Sequence, residues 1–423
     1  MRMKTPTVLA CLVACLGALS ISVAPATGAA ADVSGPPVMN APVFNDPTAD
    51  SGVAGSPSAA QSAVMDQLIR LVKAVPAGGE IRFAMHEFAP GDRSSEVASS
   101  LIAAHERGVG VQVIMDSQDD GGNDAVFGQL SAALGATETA ASWAVRCEYP
   151  SQDVNRGCIA RNYLHDKFAT FSRVVAGGTT YDKVVFQSSS NLSNWYLYNS
   201  YNDGFTLSDP TVYDGYVRYF KDLRAGRLKP VNPDYFWTTP TGSTYKGHFF
   251  PRLSSEGDPI VNVLKLVECG YKDADGVSRQ TDIRLALTAF NAARKEIADE
   301  LIRLRGENCW IDIVYYDDPA KRNVTDYIRG LLARKASNGK YLQVRPCRFT
   351  VGNRSVVPHT KLMMIDGAYD GGITPRVYTG SANFTTLENA DDSLLRISGR
   401  DVHSQYLSWF YKIRSACGGG TAG

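Results

Sequence analysis

Long apolar runs are almost absent from this chain. Beyond the first two dozen residues no stretch is long and apolar enough to span a bilayer, which argues against a polytopic membrane protein. An excess of one charge is missing too: 43 Lys and Arg stand against 43 Asp and Glu. Enzymes of nucleic acids usually present a basic surface, so this balance argues against DNA or RNA as the main substrate, although a local basic groove stays compatible with it. No C-x-x-C and no Cys/His cluster has the spacing of a zinc site, and no metal or other cofactor is expected. Histidine is scarce. With only six in the chain, their positions carry weight.

One apolar run does exist, at the start. Met1-Arg2-Met3-Lys4 is followed by an apolar segment over residues 8–23, broken by Ser20 and Ser22, and then by small residues up to Ala31. A positive start, a short apolar core and a small-residue exit predict a secretory signal peptide over 1–31, cut near Ala31, and hence an exported protein. Cleavage removes two basic residues and no acidic one, leaving a slight acidic excess. It also removes Cys11 and Cys15, and leaves Cys147, Cys158, Cys269, Cys309, Cys347 and Cys417. An even number in an exported chain predicts disulfides. Cys147 and Cys158 enclose a short polar loop and are expected to pair; the other four admit three pairings.

Residues 32–60, rich in Pro, Ala, Gly and Ser, read as a flexible lead-in. From 61 to 228, helical and strand patterns alternate: a helix from Ser62, a strand at 81–85, a helix ending at Gly108, a strand at 109–116, a helix over 119–135 and a strand over 143–149. A hairpin of residues 165–175 and 183–191 follows, turning at Gly177 and Gly178, then a strand over 201–207 and a helix over 212–223. Residues 229–252 carry Pro, Gly and many aromatics without a period, and read as a connector. Its aromatics either pack on the body or form an apolar rim for lipid or a large substrate. The order then repeats over 253–417, with a strand at 263–267, a long amphipathic helix over 282–305, a strand at 310–316, a helix over 324–335, a strand at 341–345, a second hairpin, a strand at 393–397 and a helix over 403–414; a short tail closes at 418–423. Helix alternating with strand predicts an α/β fold of two α/β/α halves related by a pseudo-twofold axis, each with a mixed, mostly parallel sheet flanked by helices.

The repeat carries chemistry. His359-Thr360-Lys361 begins an apolar run ending in Asp366, and Gly380-Ser381-Ala382-Asn383 follows. Upstream, His165-Asp166-Lys167 and Ser188-Ser189-Ser190-Asn191 stand at nearly the same separation. Alternate strand side chains share a face, so His and Lys of H-x-K point together, as do Ser and Asn of S-x-N. Two such sets meeting in one cleft offer two imidazoles, two ammoniums and two amides to one phosphoryl group. His86, which follows a strand, is a further candidate to line the cleft; His105, His248 and His403 read as structural.

These stretches resemble the duplicated HxKxxxxD and GSxN motifs of the phospholipase D superfamily, over most of the chain after residue 31. The second copy matches throughout (His359, Lys361, Asp366, Gly380, Ser381, Asn383), whereas the first has Ser172 in place of the Asp and Ser188 in place of the Gly. Asp366 has the wrong parity to face a phosphate and is expected to support a turn, a role in which the Ser172 hydroxyl can stand in. The resemblance implies a phosphodiesterase acting on phospholipid at a membrane or micelle surface, with His165 as nucleophile and His359 as proton donor. Lys167, Lys361, Asn191 and Asn383 would hold the non-bridging oxygens, supported by Ser189 and Ser381. Each histidine needs a carboxylate to fix its tautomer, with Asp203 expected for one half and Asp391 or Asp392 for the other. A monomer is expected. A nuclease of the same superfamily, and a binding protein whose first site has decayed, are the competing readings.

Overall fold

The computed structural model describes Met1 and residues 33–118, 122–148, 156–240, 242 and 244–418; the rest of the expected signal peptide and its cleavage point lie outside them, as does the tail beyond Gly418. Two sheets, each built in the same strand order, form the frame. The first runs Ala41–Phe44, Asp203–Ser208, Thr179–Ser188, Lys167–Ala176, Glu80–Met85, Gly110–Met115, Trp143–Arg146. The second runs Trp237–Thr238, Tyr245–Phe249, Ser393–Ser398, Arg376–Gly380, Leu362–Asp366, Asp282–Leu287, Trp310–Tyr316, Gln343–Cys347. Seven strands correspond in order, and Trp237–Thr238 is an eighth at the edge of the second sheet.

Within these two sheets, parallel pairing is confined to the three strands joined by helices in each half, such as Glu80–Met85 with Gly110–Met115. The motif hairpins and their neighbours are antiparallel, so antiparallel pairs outnumber parallel ones in both sheets, against the expectation of mostly parallel sheets. The reason is local: a hairpin returns the chain beside itself, and only a helical crossover returns it parallel.

Three layers of core follow. Helices Ala59–Lys73, Ser94–Glu106 and Asn123–Leu134 cover the outer face of the first sheet. Helices Pro259–Lys265, Lys295–Gly306 and Asp326–Leu332 cover that of the second. Between the sheets, their inner faces share one cluster with the closing helices Pro210–Gly226 and Arg400–Ala416. No described helix is long and apolar enough to cross a membrane.

Four elements differ from the sequence reading. The lead-in is not loose at residues 41–44: Ala41–Phe44 pairs with Asp203–Ser208, and Phe44 stacks on Trp409 with centroids 4.6 Å apart. The connector is likewise built in, since Tyr245–Phe249 pairs with Ser393–Ser398. Each of these strands opens its own repeat. The connector aromatics pack inward: Trp237 lies 4.5 Å from Phe249 between centroids, and its indole donates to Tyr235. Residues 282–305 are not one helix. Ile283, Leu285 and Leu287 alternate on the outer face of strand Asp282–Leu287, Asn291 caps a turn, and the helix begins only at Lys295. The apolar spacing suited either period, and the asparagine turn decided between them. Finally, Asp258 caps a helix at Pro259–Lys265 where a strand was expected, an N-cap followed by Pro at the first helical position.

Three disulfides pair all six cysteines after residue 31: Cys147–Cys158, Cys269–Cys309 and Cys347–Cys417.

Candidate active site

Two short parallel pairings stitch the halves together around the motifs. Ala390–Asp391 pairs with Tyr163–Leu164, and the His165 amide donates to the Asp391 carbonyl at 2.9 Å. Symmetrically, Val357 and Pro358 pair with Ser200 and Tyr201, and the His359 amide donates to the Tyr201 carbonyl at 2.9 Å. Each histidine therefore sits against the segment that follows the S-x-N of the opposite half.

The next residue on each of those segments takes the imidazole. Asp392 Oδ1 lies 2.8 Å from Nδ1 of His165 and also accepts the Ser381 hydroxyl at 2.6 Å. Asn202 Oδ1 lies 2.9 Å from Nδ1 of His359 and accepts the Ser189 hydroxyl at 3.2 Å. Both supporting serines thus act through the histidine of the other half. Asp203, expected to hold an imidazole, bonds to neither histidine. One position further along an extended chain it points the other way, and its carboxylate accepts from Thr360, Thr379 and Tyr406. Asp391 is not a histidine partner either: it caps the amides of Cys158, Ile159 and Ala160 at 2.6, 3.2 and 2.7 Å. Asn202 was missed because nothing in its neighbourhood forms a motif. Its only signal is an equivalent position after S-x-N, which the two adjacent polar residues Asn202 and Asp203 left ambiguous.

The lysines are buried beside their own histidines. Lys167 Nζ donates to the His165 carbonyl. Lys361 Nζ donates to the His359 carbonyl at 2.5 Å and to Thr288 Oγ1 at 3.0 Å, and lies 3.2 Å from His359 Nε2. Among the described residues, Asn191 Oδ1 receives a long bond from the Glu87 amide, 3.4 Å, and the buried Asn383 Oδ1 has no hydrogen-bond partner. Asp366 lies away from this cluster, bonded to Arg400 at 2.5 Å; Ser172, in the equivalent place, accepts the Glu80 amide at 2.8 Å. Neither faces the cleft. His86 does: its ring lies 5.1 Å from that of His165 and 5.6 Å from that of Tyr163. On the opposite side Tyr196 and Trp195 approach His359 at 5.0 and 5.8 Å.

Electrostatically the cleft is short of negative charge. Burial, with Lys167 beside it, pushes His165 down to about 4 even though Asp392 pulls upward. Burial and the charges of Lys361, Lys167 and His165 hold His359 well below the usual imidazole range. Burial lowers Lys167 to about 8, and burial together with Lys167 lowers Lys361 further from its ordinary value. Asp392 is held low, because its partners His165, Ser381 and Lys167 outweigh the opposing effect of burial. Neutral imidazoles, crowded ammoniums and an unmatched amide make a site that a phosphodiester anion would relieve. Among the described residues, one group of metal-binding dimensions occurs, Cys147, Cys158 and Asp391, but its cysteines are disulfide-bonded and its carboxylate is committed to backbone amides.

Comparison with known proteins gives a family and a fold. The family model "Cardiolipin synthase, PLD-like domain" matches residues 72–224 and 278–414. Among solved structures, phosphatidylserine synthase of Haemophilus influenzae Rd KW20 superposes with a TM-score of 0.55 at 13% identity, over 84% of this chain and 85% of that one. Polyphosphate kinase of Porphyromonas gingivalis gives 0.48 at 14% identity over 87% of this chain, which spans about half (49%) of the kinase. Nuc of Salmonella typhimurium, a phospholipase D family member, gives 0.28 at 16% identity over 41% of this chain and 94% of that one. No curated protein matches the sequence. With one H-x-K and S-x-N set in each half and the family model covering both, the chain belongs to the phospholipase D-like family, within a superfamily of enzymes acting on phosphodiester bonds.

Proposed function

We propose that the chain is an exported phospholipase D-type phosphodiesterase, which hydrolyses glycerophospholipids at the head-group phosphodiester bond and transfers the phosphatidyl group to alcohols through a phosphohistidine. His165 Nε2 bonds to phosphorus as the bond to the head-group oxygen breaks, and that oxygen takes a proton from His359. Water or an alcohol then gives its proton to His359 as its oxygen bonds to phosphorus and the P–N bond breaks. Lys167, Lys361, Asn191 and Asn383 hold the non-bridging oxygens.

The observation that carries the reading is the crossed pairing of His165 with Asp392 and His359 with Asn202, which commits both Nδ1 atoms to acceptors. Near-neutral charge and Trp195, 38% exposed beside His359, favour a lipid surface over nucleic acid. Three disulfides, with no membrane-crossing helix among the described residues, support export. The chain is taken to act as a monomer, since its two halves supply both histidines. The test is incubation of the purified chain with phosphatidylcholine vesicles and with plasmid DNA, both in EDTA. Choline release with intact DNA is expected, and should vanish in His165→Ala and His359→Ala. Nicked plasmid without choline would make the protein a nuclease, and no turnover of either would leave a binding protein.

A further inference from the structure

The two histidines are held alike in geometry and unlike in charge. Asn202 is fully buried and its amide orientation is fixed: Nδ2 donates to Ser200 Oγ at 2.9 Å and to the Ser200 carbonyl at 3.3 Å, which turns Oδ1 toward His359. A carboxylate at this place would meet the Ser200 carbonyl with no proton to offer. The charged or titratable groups facing His359 are Lys361 two residues along, Lys167 and His165 from the other half, and the ring of Tyr196. None is a carboxylate. Asp203 is turned to Thr360, Thr379 and Tyr406, and Asp392 is spent on His165.

We propose that Asn202 is a positioning residue that tunes His359 as a proton donor to the leaving group, while Asp392 reserves the covalent role for His165. This rests on the phosphodiesterase reading above. The covalent step leaves a positive charge on the phosphorylated imidazole for the whole life of the intermediate, and an adjacent carboxylate stabilises it. The proton-transferring imidazole is charged only until it gives its proton away, and an amide holds its tautomer without making it reluctant to do so. Burial and the two lysines act in the same direction, with the Ser189 carbonyl opposing.

The sign follows directly. His359, neutral in the free protein, must carry a proton once the phosphodiester anion is bound and offsets the lysines, so phosphatidylcholine turnover is lost as pH rises through its pKa in that complex. A carboxylate partner raises that pKa and moves the loss upward. The experiment compares phosphatidylcholine, whose alkoxide leaving group needs a proton, with phosphatidyl-p-nitrophenol, whose leaving group does not. Asn202→Asp should move the alkaline limb for phosphatidylcholine up by about one unit or more, and leave the p-nitrophenyl profile in place. Asp392→Asn should slow both substrates alike. A limb that stays put, or an equal change on both substrates, overturns the inference. If the wild-type chain turns over neither substrate, the function is wrong, and NMR titration of the His359 ring in the wild type and Asn202→Asp decides the tuning separately: unchanged titration refutes it. Should Asn202→Asp not fold, Asp392→Asn takes its place, because the His165 ring must then drop toward the titration of His359, and a ring that does not drop refutes the role given to the carboxylate.

Discussion

Asp392 Oδ1 stands 2.8 Å from Nδ1 of His165, a pair separated by 227 residues of chain. The carboxylate is buried and takes the Ser381 hydroxyl as well, so its orientation is set by the second half while its partner belongs to the first. Catalytic competence and correct docking of the halves are therefore one condition.

Replacing that carboxylate by its amide tests the link. Asp392→Asn keeps the shape and removes the charge that stabilises a positive His165. Turnover is expected to fall about 10²- to 10⁴-fold with the fold intact. Steady-state kinetics beside a thermal melt checks it: a loss below tenfold would take Asp392 out of the mechanism.

Gly380 explains why the motif glycine is needed in one half and replaced in the other. Its φ is +151°, and a Cβ there would lie 2.3 Å from the Ser393 carbonyl oxygen on the paired strand. Ser188 occupies the matching place without that approach, and its hydroxyl donates to the Asp203 carbonyl at 2.8 Å. Gly380→Ala should cost about 2 kcal/mol or more and pull Ser381 away from Asp392, whereas Ser188→Gly should cost about 1 kcal/mol. Denaturant titrations of the two variants compare them directly, and equal losses would contradict the asymmetry.

Much of this was legible in the sequence. H-x-K and S-x-N announce themselves by their repeated spacing, although the structure sets His165, His359, Lys361 and both S-x-N pairs just beyond the strand ends. The duplication announced two halves. What stayed hidden depends on contacts between distant segments. Asn202 acquires its role only because Ser200–Tyr201 pairs with Val357–Pro358. Likewise Ala41–Phe44 becomes a strand only because Asp203–Ser208 offers it an edge and Trp409 a surface. Composition marked that segment as loose, and tertiary pairing overrode it.

The Cys147–Cys158 bridge is tied to the nucleophile through one carboxylate. The amides of Cys158, Ile159 and Ala160 hold Asp391, whose carbonyl accepts the His165 amide and whose neighbour Asp392 holds the ring. A Cys147→Ser, Cys158→Ser variant should lose about 3 kcal/mol of stability and a larger share of its activity than Cys269→Ser, Cys309→Ser, whose bridge lies in the outer core of the second half. Residual activity of the two variants at a temperature where both remain folded makes the comparison; parity would uncouple the bridge from the site.

Acid should unfold this protein through its histidines. Burial is the main cause in each case: it lowers His165 and His403 to about 4 and His248 to about 3, and holds His86 and His359 well below 6.5. In the unfolded chain all five titrate near 6.5. Between that value and about 4, the unfolded state binds protons that the native state refuses, so stability falls as pH drops, each such histidine contributing about 1.4 kcal/mol per pH unit where the difference is complete. Asp391, raised by burial to about 7, and Asp166, also raised by burial, act in the opposite sense, because they keep protons that their unfolded forms release. Asp66, Asp282 and Asp312, raised by burial to a smaller extent, join them only near the ordinary carboxylate range, so above it the five histidines outweigh Asp391 and Asp166 and leave a net loss. Melting temperature should therefore decline steadily from pH 7 to pH 4.5, and a flat profile over that range would mean that these imidazoles are charged in the native protein.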